Sequence, residues 1–135
     1  MAKAQRITCF KITLADKPGA LLAIARDLKG KNAGLVGLKA FESQPGQSAA
    51  YLFPRNPDKL RDVLKSLGMT FEEQVSFFVK GTDKTGALIK SLEAIAGAGV
   101  NIKATDAIAV SGNYGAFFRV ASADLEKTAT ALGAK

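Results

Sequence analysis

Two copies of one turn that begins with aspartate and lysine have the clearest capacity for chemistry in this chain. The sequence Asp-Lys-Pro-Gly-Ala-Leu at Asp16–Leu21, the first turn, returns 67 residues later (83 − 16) as Asp-Lys-Thr-Gly-Ala-Leu at Asp83–Leu88, the second turn. Each copy follows an apolar alternating stretch and precedes an amphipathic one, which is typical of a strand leading into a helix. The first N–H groups of a helix lack partners within it and attract negative charge. The repeat therefore predicts two helix N-termini able to face a small anionic ligand or each other.

Groups for catalysis and metal binding are scarce elsewhere. The chain has no histidine, which removes the commonest general base, the commonest transition-metal ligand and the usual partner of a nucleophile. Carboxylates such as Asp58 and Glu72-Glu73 are not spaced to surround a common centre. Cys9 is the single cysteine, so no intramolecular disulfide can form, and its place in a predicted strand indicates a packed residue. We expect no enzymatic activity, no catalytic residue, no cofactor and no metal.

Composition limits the possible partners. The 135 residues are 47% hydrophobic, with a formal net charge of +7, and no apolar stretch is long enough to span a membrane. The start of the sequence leads directly into a strand pattern without a signal peptide, which predicts a cytoplasmic location. The positive charge favours an anionic partner. Because the lysines and arginines are spread along the chain without a basic run, a nucleic-acid surface is not favoured over an ordinary solvated one.

The repeat extends through the whole chain. At the offset of 67 the matches include Phe10 with Phe77 and Leu35 with Ile102, and at an offset of 65 they include Phe53 with Phe118 and Leu60 with Leu125. These matches are mostly apolar positions and glycines, which specify a shared fold more firmly than a shared activity. The sequence predicts two repeats, residues 1–74 and 75–135.

The pattern of elements predicts an α+β fold of two ferredoxin-like βαββαβ units, with antiparallel sheets and helices on one face. Pro18 is expected in the first turn of a helix that ends near Gly30, and Pro57 opens the second helix. The second repeat stops after its last helix and lacks the final strand. Its first strand would then be an open sheet edge, which predicts a homodimer. Alternatively, residues 69–80 form one long strand that serves both repeats.

These features together resemble a tandem pair of ACT domains. The resemblance rests on the order of elements, the two Asp-Lys-x-Gly-Ala-Leu turns and the segment Gly97–Ile102, and it covers nearly the whole chain. ACT domains are ferredoxin-like regulatory modules of amino-acid metabolism that commonly bind amino acids at contacts between paired modules. The resemblance implies a regulatory module with an amino-acid ligand, no activity of its own and a regulated enzyme that the sequence does not identify.

The resemblance also implies a set of ligand-binding residues. An amino acid offers a carboxylate that helix N–H groups accept and an ammonium that an aspartate accepts. Asn101 matches an asparagine that reaches the ligand across the module contact, whereas Gly34 stands at that place in the first repeat. We therefore expect one complete site, which pairs the first turn with Asn101, and one degenerate site. The predicted ligand-binding residues are Asp16, Lys17, Pro18, Gly19, Ala20, Leu21, Asp83, Gly86, Ala87, Leu88, Val100, Asn101 and Ile102.

Three alternatives stay open from the sequence. Each aspartate can simply cap its helix, with Gly19 and Gly86 allowing close packing on the sheet. The segment Asn113–Val120 lies where RNA-recognition motifs carry stacking aromatic residues, and Phe117 would serve there. The match is poor, because Ala116 stands in place of a key aromatic residue. The chain can also be a protein-interaction module without a ligand.

Overall fold

A computed structural model describes residues 3–134, and its contacts divide the chain into two compact units. The first unit is Thr8–Gln74. The second unit is Val75–Lys135 together with the N-terminal residues as far as Ile7. The division between residues 74 and 75 coincides with the end of the predicted first repeat, whereas the N-terminal residues group with the second. The described residues form an α+β fold with six antiparallel strands and four α-helices.

The first unit follows the predicted order of elements. Apolar residues of both of its helices pack on the same side of its central strand, around Phe10, Ile12 and Leu52. The second helix begins as predicted, with Pro57 at its start and the Asn56 side chain accepting a hydrogen bond from the Lys59 N–H at 3.2 Å. The elements are β1 (Lys3–Ala15, whose residues from Thr8 belong here), α1 (Ala20–Gly30), β2 (Leu35–Gln44), β3 (Gln47–Pro54), α2 (Pro57–Ser66) and the start of β4 (Glu72–Thr82).

The second unit repeats this order around its own core. Phe77, Ile95 and Phe118 are fully buried there. A short turn, Ser111-Gly112, with both φ angles positive joins its two hairpin strands, as two-residue hairpins commonly require. The elements are the rest of β4, α3 (Ile89–Gly97), β5 (Ile102–Val110), β6 (Asn113–Val120), a 3₁₀ turn (Ser122–Asp124) and α4 (Leu125–Leu132).

The N-terminal strand corrects the prediction of a missing fourth strand. β4 lies between β1 and β6 in the strand order, and the part of β1 that belongs to the second unit is Lys3–Ile7. The second unit therefore has the order β1-β4-β6-β5, so its first strand is not a sheet edge as the sequence predicted. The strands at the ends of the order are β2 and β5. The argument for a homodimer from an open edge at β4 is accordingly wrong.

A pair of charges joins this N-terminal strand to α4. The guanidinium of Arg6 donates two hydrogen bonds to the Glu126 carboxylate on α4, at 2.8 and 2.7 Å. The carboxylate raises the pKa of Arg6, and the guanidinium lowers the pKa of Glu126. Such fork-to-fork pairs are directional. The pair therefore orients Lys3–Ile7 within the second unit.

The strand pairing also corrects the alignment of the repeats. Phe10 pairs with Leu52, and Phe77 pairs with Phe118, so the equivalent of Phe118 is Leu52, at an offset of 66 (118 − 52), and not Phe53. One extra residue of the first repeat lies at a register shift between Glu42 and Gln44, which the second hairpin lacks. The other extra residue of the first repeat follows β3, because the offset falls from 66 at Leu52 to 65 at Leu60, which matches Leu125.

Two further boundaries differ from the predictions. Helix α1 begins at Ala20 with Gly19 as its N-cap residue, so Pro18 precedes the helix instead of lying in its first turn. A single strand, β4, replaces the two strands expected on either side of residue 75, in line with the alternative of one long strand. No helix within residues 3–134 is long and apolar enough to cross a membrane.

Candidate functional site

An open pocket of about 250 Å³ lies at the second turn, entirely within the second unit. The turn forms one wall, and the end of β5 together with the start of β6 forms the other. This geometry combines a carboxylate, an ammonium group and an apolar surface. The residues that line the pocket are Asp83, Lys84, Gly86, Ala87, Leu88, Ile89, Ala107, Ile108, Ala109 and Tyr114.

The backbone of the second turn leaves a helix start without a side-chain cap. Helix α3 begins at Ile89, and neither Asp83 nor any other side chain caps it. The Asp83 N–H donates to the Gly112 carbonyl at 2.9 Å, which ties the turn to the hairpin. Within residues 3–134 the Asp83 carboxylate accepts no hydrogen bond, and Asp83 is exposed. The Ile89 N–H donates to the Gly86 carbonyl at 3.0 Å, so the next N–H groups of the first helical turn and the Asp83 carboxylate are the groups available to a ligand.

An aromatic ring shapes the inner wall of the pocket. Tyr114 is only 8% exposed, and its hydroxyl lies 3.5 Å from the Ala87 carbonyl, at the limit of a hydrogen bond. It stands opposite Gly81 across the β4–β6 ladder, and a Cβ atom at Gly81 would lie 2.8 Å from the Tyr114 Cε1. Gly81 therefore makes room for the ring. Near the mouth, Ile89 and Ile108 are 52% and 71% exposed, which gives a ligand an apolar surface to cover.

The first turn has a different, acidic environment. The Asp16 N–H donates to the Gly46 carbonyl at 3.1 Å, and its carboxylate accepts a hydrogen bond from the Ser48 hydroxyl at 3.2 Å. Two effects of Asp16 raise the pKa of Glu42: the larger is the hydrogen bond between the two side chains, and the smaller is repulsion by the Asp16 charge. A ligand carboxylate would meet two acidic groups here. The pocket described above lies at the second turn, and the predicted site that pairs the first turn with Asn101 stays a prediction.

The capping alternative is wrong for both aspartates. Helix α1 has no side-chain cap, as is also true of α3. The turn glycines have a conformational role: φ is 86° at Gly19 and 79° at Gly86, in the left-handed region that glycine adopts without cost. A Cβ atom at Gly19 would meet nothing within 4 Å. Close helix packing is therefore not the reason for this glycine.

The segment before β5 contributes one exposed polar side chain. Val100 is 7% exposed and belongs to the core of the second unit, and Ile102 packs on the same core. Asn101 between them is exposed. The pairing of Asn101 with the first turn joins residues of different units and stays a prediction.

Several residues of the pocket were missed by the sequence analysis. Lys84, Ile89, Ile108 and Tyr114 line the pocket, but none of them is among the ligand-binding residues predicted from the sequence. A comparison of the repeats at the offset of 66 would have indicated Tyr114, because the first repeat has Ser48 at that position. The large change from serine to tyrosine marks a place where the two units differ.

The first unit has a cavity of about 380 Å³ bounded by Lys11, Thr13 and the segment Met69–Glu72, with no polar side chain buried in it. No group of three acidic or cysteine side chains in the described part of the chain could hold a metal ion.

Comparisons with known proteins identify the fold. No protein-family model matches the chain, and no curated protein matches it in sequence. Among solved structures, protein BT0572 from Bacteroides thetaiotaomicron is 22% identical with a TM-score of 0.84, over 96% of this chain and 88% of that one. The ligand-free regulatory subunit of aspartate kinase from Thermus thermophilus is 14% identical with a TM-score of 0.65, over 98% and 94%.

A longer enzyme contains the same fold. Aspartokinase III of E. coli, in complex with lysine and aspartate, is 18% identical with a TM-score of 0.58, over 97% of this chain but 31% of that chain. Identities this low concern the fold alone. The chain therefore has the fold of the regulatory, ACT-containing domains of aspartate kinase, in agreement with the resemblance found in its sequence.

Proposed function

We propose that this protein is a regulatory module of two ferredoxin-like units that binds a small amino acid in the pocket at the second turn. The observation that carries the proposal is the arrangement of Asp83, Lys84 and an uncapped helix start beside an exposed apolar wall. A free amino acid has the complementary groups: one ammonium, one carboxylate and one side chain.

Each part of the pocket suits one of these groups. The Asp83 carboxylate accepts hydrogen bonds from the ammonium, and charge-assisted bonds of this kind are short and strong. Lys84 and the first N–H groups of α3 bind the carboxylate. Ile89 and Ile108 cover the side chain. A volume of about 250 Å³ lies below the range of about 300–1,000 Å³ that drug-sized ligands occupy, which suits a ligand of amino-acid size.

Regulation follows from differential binding and requires no catalysis. A ligand that binds one arrangement of the module more tightly than another shifts the population toward it, and a bound partner enzyme responds to that shift. The fold supports this role because the structures that share it include a regulatory subunit of aspartate kinase, and aspartokinase III was solved with lysine and aspartate. The regulated enzyme stays unidentified, and the cytoplasmic location stays a prediction from the sequence.

A homodimer remains part of the proposal on new grounds. The outer strand β5 exposes Ile108 and Val110, at 71% and 64%, and its last four residues carry no charge. Uncharged exposed edge strands tend to pair with another chain. RNA binding is not supported, because Phe117, the residue expected to stack on a base, is only 6% exposed.

The repeat provides a matched control for testing the pocket. The common amino acids are screened by thermal shift, and we expect at least one to raise the unfolding midpoint, since a ligand bound only by the folded state stabilises it. Calorimetry then compares Asp83→Asn with Asp16→Asn, the same change at the other turn. Loss of a charge-assisted bond predicts roughly ten- to hundredfold weaker binding for Asp83→Asn. Asp16→Asn should leave the affinity almost unchanged. If no amino acid stabilises the protein, a protein-interaction module without a ligand replaces this proposal.

A further inference from the structure

The walls of the pocket at the second turn carry no charge beyond the turn itself. Of the ten described residues that line it, Asp83 and Lys84 are charged, and both belong to the turn. The others are one glycine, six aliphatic residues and Tyr114. A ligand that uses Asp83 for its ammonium and Lys84 for its carboxylate therefore meets no charged side chain that could pair with a third charge.

Two alanines of β5 form the wall opposite the turn. Ala107 and Ala109 are two residues apart, so their side chains lie on one face of the strand. Ala109 is the direct cross-strand partner of Tyr114, whose ring packs in the core of the second unit. The two alanines therefore face the pocket from the same side as the ring. Both are exposed, and their small methyl groups leave the space in front of this wall to the side chain of a ligand.

The first unit has a glutamate at the place of Ala109. Ala109 pairs with Tyr114, and the equivalent pair of the first hairpin is Glu42 and Ser48. The Glu42 side chain forms a hydrogen bond with Asp16 of the first turn, so a long side chain at this strand position reaches the aspartate of the turn. The exchange of glutamate for alanine thus leaves one acidic group at the second turn where the first turn has two.

We propose that the pocket at the second turn selects amino acids with an apolar side chain, and that Ala109 is the residue that sets this preference. The inference rests on the proposed amino-acid function and adds the class of ligand to it. Asp83 binds the ammonium and Lys84 binds the carboxylate, so an amino acid of this class leaves no charge unpaired.

The selection comes chiefly from the cost of an unpaired charge. An ionised side chain loses hydration when it enters the pocket, and this loss is offset only where an opposite charge or hydrogen-bond partners replace the water. The alanine wall supplies neither. An apolar side chain instead covers the walls and removes apolar surface from water, which favours binding. Specificity is therefore largely the rejection of charged competitors.

Pairs of amino acids that share a shape and differ in charge provide the test. Norleucine has the carbon chain of lysine without its terminal ammonium, and leucine has two methyl groups where aspartate has two carboxylate oxygens. Calorimetry at pH 7 and constant ionic strength measures the four affinities. We expect norleucine to bind at least roughly tenfold more tightly than lysine, and leucine to bind more tightly than aspartate by a similar factor.

A variant that restores the glutamate tests the role of Ala109. Ala109→Glu should lower the ratio of norleucine affinity to lysine affinity roughly tenfold, because the new carboxylate attracts the lysine ammonium. Val110→Glu places the same charge on the opposite face of β5, at a residue that is 64% exposed, and should change the ratio less than about twofold. Ala109→Gln controls for size and should leave the ratio nearly unchanged. Ala109→Lys has the opposite charge and should lower the ratio of leucine affinity to aspartate affinity.

The outcomes separate this inference from the proposed function. Equal affinities within either pair, or equal shifts for Ala109→Glu and Val110→Glu, would overturn the selection of apolar side chains while leaving an amino-acid site in place. Asp83→Asn should weaken all four ligands by a similar factor, since it removes the partner of the ammonium that they share. If none of the common amino acids binds, the amino-acid function itself fails, and this inference fails with it.

Discussion

Replacing Gly81 by alanine should destabilise the second unit. In an ordinary strand, by contrast, a change from glycine to alanine stabilises the protein. Alanine in a strand gains about 0.5–1 kcal/mol over glycine. Here the new Cβ would lie 2.8 Å from the Tyr114 Cε1 and 3.3 Å from its Cζ, whereas carbon atoms pack at about 3.5–4.0 Å. The ring would have to move by about 1 Å, yet it is only 8% exposed.

The expected magnitude follows from these opposing effects. Overpacking in a filled core costs about 1–3 kcal/mol, so the net loss in the free energy of unfolding should be about 0.5–2 kcal/mol after the gain from alanine. For a chain of this size that corresponds to a fall of a few degrees in the unfolding midpoint, roughly 2–4 °C per kcal/mol. Urea denaturation monitored by circular dichroism measures the free energy, and differential scanning calorimetry measures the midpoint.

The first unit supplies the compensating change. Leu14 and Ser48 are the cross-strand pair that corresponds to Gly81 and Tyr114, so the two units place the large side chain on opposite strands. Gly81→Leu alone should destabilise strongly, Tyr114→Ser should leave a cavity, and the double variant should recover much of the loss. A coupling of about 0.5–3 kcal/mol is typical of residues in contact. If Gly81→Ala stabilises the protein, or if the two losses simply add, the steric argument is refuted.

Two further predictions concern charge. Arg6→Gln removes the pair with Glu126 and should accelerate amide hydrogen exchange in Lys3–Ile7. Arg26→Gln, which removes the same charge elsewhere, should leave the exchange of these amides unchanged. If Arg6→Gln does not change their exchange rates, strand pairing alone holds the segment. Asp16 raises the pKa of Glu42 above its ordinary value of 4.5. The folded protein therefore binds the Glu42 proton more tightly than the unfolded chain does, and it loses stability as the pH rises through the raised pKa. Glu42→Gln should therefore match the wild type near pH 4 and unfold at a higher temperature near pH 7. An equal difference at both pH values would contradict the repulsion between Glu42 and Asp16.

The elements were predictable from the sequence because their signals are local. The apolar positions of α2 recur at helical spacing, and Asn56 with Pro57 marks its start, so boundaries and buried faces agree with the structure. The place of Lys3–Ile7 was not predictable in this way. An alternating pattern shows that a segment is a strand, but it does not identify the strand with which it pairs, and here the partner lies about 70 residues away.

The pocket at the second turn depends on a pair of residues, which explains why the repeat concealed it. Taken singly, Tyr114 looks like one more core aromatic residue. Strand pairing places Tyr114 opposite Gly81, and the equivalent pair of the first unit, Leu14 and Ser48, has its large side chain on the opposite strand. A duplicated fold can thus keep its packing while one wall of a pocket differs between its units, because each pair combines one large and one small residue across the ladder.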